Sequence, residues 1–138
     1  MEKQVTEALQ NYRGGCTCSQ SVLCAYSDII GLDKTALYRL SEGFGGGFGG
    51  LQAVCRALSP VFAVISYCYS DGKLEGGKTK LDTYAKIREA AALFEKEFGS
   101  IVCREILHGG KPQPFKCGRK VRIAAETVNK VLEHNTDE

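Results

Sequence analysis

Apolar residues recur along most of the chain with the 3.6-residue period of amphipathic α-helices, and glycines separate many of the stripes. No stretch alternates convincingly in the way that a half-buried β-strand does. The stripes predict helical segments near residues 5–12, 20–30, 34–42, 51–69, 79–98, 100–107 and 118–132. We therefore expect an all-α fold, a compact single-domain bundle of about five to seven helices that takes in residues 1–138.

The same period predicts which side chains face the core. These inward positions are Val5, Ala8, Leu9, Tyr12, Val22, Leu23, Tyr26, Ile29, Ile30, Leu37, Leu40, Leu81, Tyr84, Ile87, Ala91, Phe94, Phe98, Val121, Ala124, Ala125, Val128 and Leu132. Thr17 or Ser19 should cap the second helix and Asp33 the third, because short polar side chains accept hydrogen bonds from the amides of a first turn. Pro60 should kink the fourth helix unless that helix breaks there.

Size and composition argue against nucleic acid and membranes as partners. A chain of 138 residues has room for one hydrophobic core, and its net charge of +2 comes without a basic tract, so we do not expect a nucleic-acid partner. The longest apolar run, near 61–69, is shorter than the ~20 residues that a membrane span needs. The polar start of the chain lacks the apolar stretch of a signal peptide, so we expect a cytoplasmic protein without a membrane partner.

Cysteine is the chain's most informative residue type. The seven cysteines are Cys16, Cys18, Cys24, Cys55, Cys68, Cys103 and Cys117. An odd number without an export signal argues against a disulfide framework. The remaining uses are metal ligation, reversible redox chemistry and burial as small hydrophobic side chains.

Four of the cysteines lie near predicted helix N-termini: Cys18, Cys55, Cys103 and Cys117. The unpaired amides and the dipole at such an end stabilise a thiolate. Any one of the four could be a packing residue, but as a set they favour a functional role.

The other cysteines and the histidines carry weaker signals. Cys24 and Cys68 are expected in the core. Cys16 forms a Cys-x-Cys pair with Cys18, which would suit a strained, reversible disulfide or a second sulfur at a metal centre; the alternative is a thiol that faces solvent. His108 could add a ligand or donate a proton, although a histidine beside two glycines is commonly just solvated.

A glycine-rich segment, 43–50, precedes Cys55. Its Gly45-x-Gly47-x-x-Gly50 pattern matches the dinucleotide fingerprint only formally, since no strand precedes it. Successive glycine amides can instead form a nest that donates hydrogen bonds to a thiolate or cluster sulfur, with Gly47, Gly49 and Gly50 as candidates. The alternative is a flexible loop or close helix packing.

The order of these parts resembles the bacterial and archaeal family labelled C-GCAxxG-C-C, whose members are described as redox-active proteins. The shared elements are Thr17-Cys18-Ser19-Gln20, the glycines 45–50, Cys55 with Ala57, Phe98-Gly99-Ser100-x-x-Cys103, and Cys117. The resemblance covers about residues 10 to 130. It implies that Cys18, Cys55, Cys103 and Cys117 are the family cysteines.

The resemblance also implies a cofactor. The family is similar to a domain of split-Soret cytochromes for which iron–sulfur binding has been proposed, whereas the chain lacks the CxxCH of covalent haem. The sequence departs from the family around Cys55, where Arg56 follows directly and Pro60 occupies the place of a downstream glycine. Arg56 could favour the thiolate or offset cluster charge; the alternative is that this chain has lost the centre.

Several functions follow as hypotheses. The first is electron transfer by an iron–sulfur cluster on the four family cysteines, with an unidentified redox partner. The alternatives are a dithiol–disulfide protein in which Cys18 pairs with Cys16 or Cys55, a non-catalytic module with a structural zinc site on the four family cysteines, and a helical domain with buried cysteines. Helices of this kind would also suit homo-oligomer assembly, and the sequence leaves open whether the protein is an enzyme.

Overall fold

The computed structural model describes residues 2–44, 57–102 and 116–134, with side chains at all of these positions except 116, 117 and 134. Within these ranges the chain forms seven α-helices and no β-strand, which confirms the all-α prediction. The helices are α1 (Glu2–Arg13), α2 (Cys18–Ala25), α3 (Ser27–Ile30), α4 (Lys34–Ser41), α5 (Leu58–Tyr69), α6 (Lys80–Phe98) and α7 (Lys116–His134), and a 3-10 turn (Glu42–Phe44) follows α4.

Helix α2 lies at the centre of the bundle. Every one of its residues is buried, and α1, α4, α5 and α7 all pack against it. Helices α5, α6 and α7 also pack against one another and enclose the fully buried Phe94. None of the described helices is long and apolar enough to cross a membrane.

The chain bends at Tyr26, within the segment 20–30 that the sequence predicts as one helix. Tyr26 has φ −102° and ψ 15°, which ends α2 and starts α3. Its side chain is fully buried, and its hydroxyl oxygen lies 2.8 Å from the Ala125 carbonyl oxygen and 2.8 Å from Asn129 Oδ1. Burial is the main reason why the pKa of this phenol rises, with smaller contributions from Cys68 and Glu133. The bend is thus tied to α7 by a buried polar contact.

Two of the predicted caps are confirmed. Thr17 is the N-cap of α2, because its Oγ1 accepts a hydrogen bond from the Gln20 amide at 3.1 Å. Asp33 caps α4 by accepting from the Thr35 amide at 3.3 Å. The short polar residues in front of each stripe therefore locate both helix starts to within a residue or two.

Some apolar positions that were expected to face inward are exposed. Leu40 is 59% exposed, Leu81 75% and Tyr84 48%, so the predictions of their burial are wrong. The buried face of α4 is the narrow pair Leu37 and Ser41. In a helix at the edge of the bundle, the 3.6-residue period identifies an apolar stripe without showing which turns have a neighbour to pack against.

One helix start differs from expectation, and the predicted start of another lies outside the described residues. The described part of the fourth predicted helix begins at Leu58, so Pro60 lies in the first turn of that part, where a missing amide costs little. The kink predicted at Pro60 depends on residues 51–56, which lie outside the described residues. Helix α7 begins at Lys116, so Cys117 lies inside its first turn rather than before it. Residues 100–102 are not helical; the rest of the helix predicted to 107, and the part predicted over 51–56, lie outside the described residues.

Candidate functional site: a cysteine segment beside an arginine cleft

Cys18 is the first residue of α2, at the helix end where the sequence predicts it. The Thr17 amide donates to Gln20 Oε1 at 3.1 Å, which together with the bond from the Gln20 amide to Thr17 forms a capping box. The Cys18 side chain is only 2% exposed and belongs to the hydrophobic core. A buried sulfur is therefore held at the positive end of the central helix.

Cys16 is held differently, by the C-terminal end of α1. Its amide donates to the Asn11 carbonyl oxygen at 3.1 Å, and the Gly15 amide donates to the Tyr12 carbonyl oxygen at 3.2 Å. This is the hydrogen-bond pattern of a Schellman motif, and Gly15 supplies its left-handed residue with φ +105°. The turn places the partly exposed Cys16 directly beside the last turn of α1.

An open cleft of about 770 Å³ lies between this turn and the start of α7. Its lining residues are Leu9, Tyr12, Arg13, Gly15, Cys16, Gly118, Arg119 and Arg122. Cys16 and Gly118 therefore border the same space, although they are far apart in sequence. Because Cys117 precedes Gly118 in the first turn of α7, the fold brings the backbone segments that carry Cys16, Cys18 and Cys117 into one neighbourhood.

The cleft is positively charged. Arg13, Arg119 and Arg122 line it, and no acidic side chain is among its described lining residues. The Arg119 guanidinium is partly engaged, since its Nη2 lies 3.4 Å from Glu97 Oε2 and its Cζ lies 4.9 Å from the centroid of the Phe98 ring. For Arg13 and Arg122, the described residues supply no ion-pair partner. The cleft thus presents cationic side chains to solvent beside a thiol.

Cys24 is a core residue, as predicted. It is 6% exposed, and its Sγ lies 3.7 Å from the Lys34 carbonyl oxygen. Burial raises the pKa of its thiol, and the nearby Cys16 adds to the rise. A protonated, enclosed thiol of this kind is poorly suited to nucleophilic or redox chemistry.

Cys68 is exposed, so the prediction that it lies in the core is wrong. The fully buried residues of α5 end at Ile65, and in the last turn of the helix Tyr69 packs against the core while Cys68 lies on the exposed side. Although the residue is exposed as a whole, neighbouring atoms partly desolvate its thiol and raise its pKa.

Most of the other predicted site residues lie outside the described residues: Gly47, Gly49, Gly50, Cys55, Arg56, Cys103 and His108. Cys117 is described in its backbone only. Among the residues whose side chains are described, no three His, Cys, Asp or Glu residues come together as a metal site. The four-cysteine ligand set therefore stays a prediction.

The sequence analysis missed the three arginines of the cleft. Arg13 ends α1, whereas Arg119 and Arg122 lie three positions apart on α7 and therefore share a face. The spacing of Arg119 and Arg122 is visible in the sequence, but their proximity to Arg13 and Cys16 arises only when α1 packs against α7.

Residues 16–131 match the model of the protein family described as "Putative redox-active protein (C_GCAxxG_C_C)". The matched range begins at Cys16 and ends near the C-terminus of α7, so it takes in Cys16 and the α7 side of the cleft, whereas Leu9, Tyr12, Arg13 and Gly15 precede it. No curated protein and no solved structure matches the chain.

Proposed function

The chain belongs to the C_GCAxxG_C_C family of cysteine-containing redox-active proteins, and we propose that it transfers electrons through an iron–sulfur cluster held by Cys18, Cys55, Cys103 and Cys117. The observation that carries the proposal is the cleft bordered by Cys16, two residues before the start of α2, and by Gly118, near the start of α7. These starts bear two of the four family cysteines. Sulfur ligands from separate segments are the usual way in which a protein holds such a cluster.

The two cysteines of α2 differ in how well they suit a cluster. Cys18 fits, because its thiol is buried at a helix N-terminus, where a thiolate gains from the helix dipole and is shielded from water. Cys24 does not fit, because burial raises its thiol pKa and its sulfur faces the Lys34 carbonyl oxygen. A bound cluster supplies a reversible electron couple whose potential responds to burial and to hydrogen bonds at its sulfurs.

The chain's own residues would position and enclose the centre. The capping box formed by Thr17 and Gln20 fixes the backbone at Cys18, and the packing of α2 among four helices keeps water from that thiol. The positive charges of Arg119 and Arg122, on the helix that carries Cys117, would offset part of the negative charge of four thiolates.

The test is anaerobic purification followed by iron and sulfide analysis and a visible spectrum. The proposal predicts a brown protein that contains iron and sulfide. Cys18→Ser should lose both, whereas Cys24→Ser, a change at the other cysteine of α2, should retain both. A colourless, iron-free wild-type protein would contradict the proposal, as would equal losses in the two variants. One stoichiometric zinc in place of iron would instead indicate a structural zinc module.

A second function is favoured by the position of Cys16. This partly exposed cysteine borders the cleft and lies two residues from Cys18, so the pair could exchange two thiols for a disulfide while an oxidant takes up two electrons and two protons. Thiol titration before and after mild oxidation should then show the reversible loss of two thiols in the wild type and no such loss in Cys16→Ser. An unchanged wild-type thiol count would reject this function.

A further inference from the structure

We propose that the cleft between α1 and α7 binds a small anionic disulfide and that Cys16 exchanges with it to form a mixed disulfide. Cys16 lies outside the ligand set proposed above, so reaction at this site does not require the cluster, and Arg119 and Arg122 would serve both sites. The inference rests on the shape and charge of the cleft and on the placement of the thiol within it.

The cleft has the size and lining of a small-molecule site. Its volume of about 770 Å³ lies within the range that such sites commonly occupy. Leu9 and Tyr12 contribute to its wall, and three arginines supply the charge. An apolar wall with a few polar groups binds and orients a small molecule, and the planar guanidinium group pairs with carboxylates through two parallel hydrogen bonds.

The charge of the cleft is concentrated rather than general. The whole chain has a net charge of +2, whereas three arginines and no described acidic residue line this one opening. Ion pairing does not account for the grouping, because only Arg119 has a described acidic partner, at 3.4 Å. A ligand that carries carboxylates would complement this charge.

Cys16 is the accessible sulfur of the pair. Cys18, two residues away, is 2% exposed, whereas Cys16 is partly exposed and borders the cleft. The two hydrogen bonds of the Schellman motif tie the backbone at Gly15 and Cys16 to the carbonyl oxygens of Tyr12 and Asn11. A ligand held by the arginines would therefore meet this thiol before any other described one.

The chemistry balances as thiol–disulfide exchange. The Cys16 thiol gives its proton to water, and the thiolate attacks one sulfur of the bound disulfide. A new sulfur–sulfur bond forms to Cys16 while the ligand's own sulfur–sulfur bond breaks. The departing half leaves as an anionic thiolate that takes up a proton. Cys16 is oxidised, one half of the ligand is reduced, and no further oxidant is needed.

The test compares two aromatic disulfides that differ in charge: anionic 5,5′-dithiobis(2-nitrobenzoate) and neutral 4,4′-dithiodipyridine. Modification of Cys16 is followed over time by tandem mass spectrometry on the full-length protein. In Arg13→Gln/Arg122→Gln, reaction of the anionic disulfide at Cys16 should slow about tenfold, the lower range of electrostatic effects on association. The neutral disulfide should change less than about twofold, since it gains nothing from the same field. Arg39→Gln, at an exposed arginine of α4, should alter neither rate.

The two probes separate binding of the anion from an effect on the thiol. If the arginines acted on Cys16 itself, both disulfides would slow together, and the proposal would be wrong. Equal rates in the wild type and the double variant would also overturn it. Should the double variant fail to fold, salt provides the same test on the wild type: raising ionic strength from about 10 mM to 1 M shortens the screening length from ~30 to ~3 Å and should slow only the anionic probe.

Iron is measured on each sample in parallel. An iron-free protein with charge-selective reaction at Cys16 would contradict the cluster and leave the cleft proposal standing. A protein that contains iron but reacts at Cys16 without charge selectivity would contradict the cleft proposal and leave the cluster proposal standing.

Discussion

Two segments of the molecule follow the C-terminal end of a helix: the turn between α1 and α2, and the connection between α5 and α6. They differ in whether the charged side chains near the helix end find hydrogen-bond partners within the segment itself. In the connection 70–79, Asp71 Oδ1 accepts from the Lys73 amide at 3.1 Å and Oδ2 accepts from the Lys78 amide at 3.0 Å. The Asp71 amide in turn donates to Thr79 Oγ1 at 3.1 Å. The carboxylate of this segment is therefore satisfied by its own loop.

The α1–α2 turn closes its two helix ends with backbone amides and the Thr17 hydroxyl. The amides of Gly15 and Cys16 close the end of α1, whereas the Cys16 thiol and the Arg13 side chain border an open cleft. A charged group that accepts hydrogen bonds from its own loop stabilises that loop. Positive side chains that converge from separate helices, without acidic residues beside them, can instead bind an anionic ligand. The comparison explains why we place chemistry at the first turn and a structural role at the second.

Replacing one positive-φ glycine in each segment should give the largest effects. Gly15→Ala forces alanine to φ +105° and should lower the free energy of unfolding by about 1–2 kcal/mol, the usual cost of left-handed backbone. It should also remove the charge selectivity of disulfide reaction at Cys16. Gly72→Ala, at φ +67°, carries a similar backbone strain of about 1 kcal/mol but should leave reaction at Cys16 unchanged.

Urea unfolding and the two-probe assay measure these outcomes. If Gly72→Ala altered reaction at Cys16 as strongly as Gly15→Ala does, the turn would have no special role in placing the thiol.

The caps of α2 and α4 offer a smaller, matched test. Thr17→Ala removes both a cap and one half of a capping box and should cost about 1 kcal/mol. Asp33→Ala removes a single exposed hydrogen bond of 3.3 Å and should cost less. Chemical denaturation of the two variants compares them, and a larger loss for Asp33→Ala would contradict the structural weight given to the start of α2.

Gly77→Ala should disturb the other loop only slightly. An added Cβ would lie 3.0 Å from the Lys73 carbonyl oxygen and 3.1 Å from Asp71 Oδ1, so the Lys73 backbone and the carboxylate must both move by a few tenths of an ångström. We expect a loss of about 0.5 kcal/mol, the upper range for ordinary surface changes. We also expect the pKa of Asp71 to rise toward its ordinary value, which an NMR titration of the carboxyl carbon would record. An unchanged Asp71 titration would mean that the loop's hydrogen bonds do not depend on this close approach.

The ionisation of Asp71 in the same loop should have the smallest effect on the free energy of unfolding. Backbone hydrogen bonds from Lys78 and Lys73 are the main reason why the pKa of Asp71 is lowered. A lowered pKa in the folded state means that the carboxylate stabilises the fold above its unfolded pKa of about 3.9 and loses that contribution as pH falls through the folded pKa. In the wild type, the free energy of unfolding should therefore fall as pH drops below about 5, and in Asp71→Asn this fall should be smaller. Urea unfolding at a series of pH values would measure the difference. If the free energy of unfolding of Asp71→Asn fell more steeply with acid than that of the wild type, the prediction would be wrong.

Much of the fold follows from local patterns. The stripe of Val5 and Ala8 and the caps Thr17 and Asp33 were correctly predicted, because an amphipathic period and a cap depend on neighbours in sequence. Leu81 and Cys68 were expected to be buried and are exposed, because they lie on the outward side of helix turns whose packed residues are Thr83 and Tyr69.

The candidate site was only partly predictable. Cys18 could be placed at a helix start from Thr17 and the apolar run that follows. The cleft could not, because it requires Arg13 from α1 to approach Arg122 from α7, a consequence of tertiary packing that no local window contains.

The central claim is that the helix starts bearing Cys18 and Cys117 bring their sulfurs to a common centre. A crystal structure of protein prepared without oxygen, with sulfur and metal located by anomalous scattering, tests it most directly. The account predicts that Sγ of Cys18 and Sγ of Cys117 both ligate one iron-containing centre. A Cys18 sulfur enclosed by hydrocarbon, with the Cys117 sulfur on an unrelated surface, would contradict it.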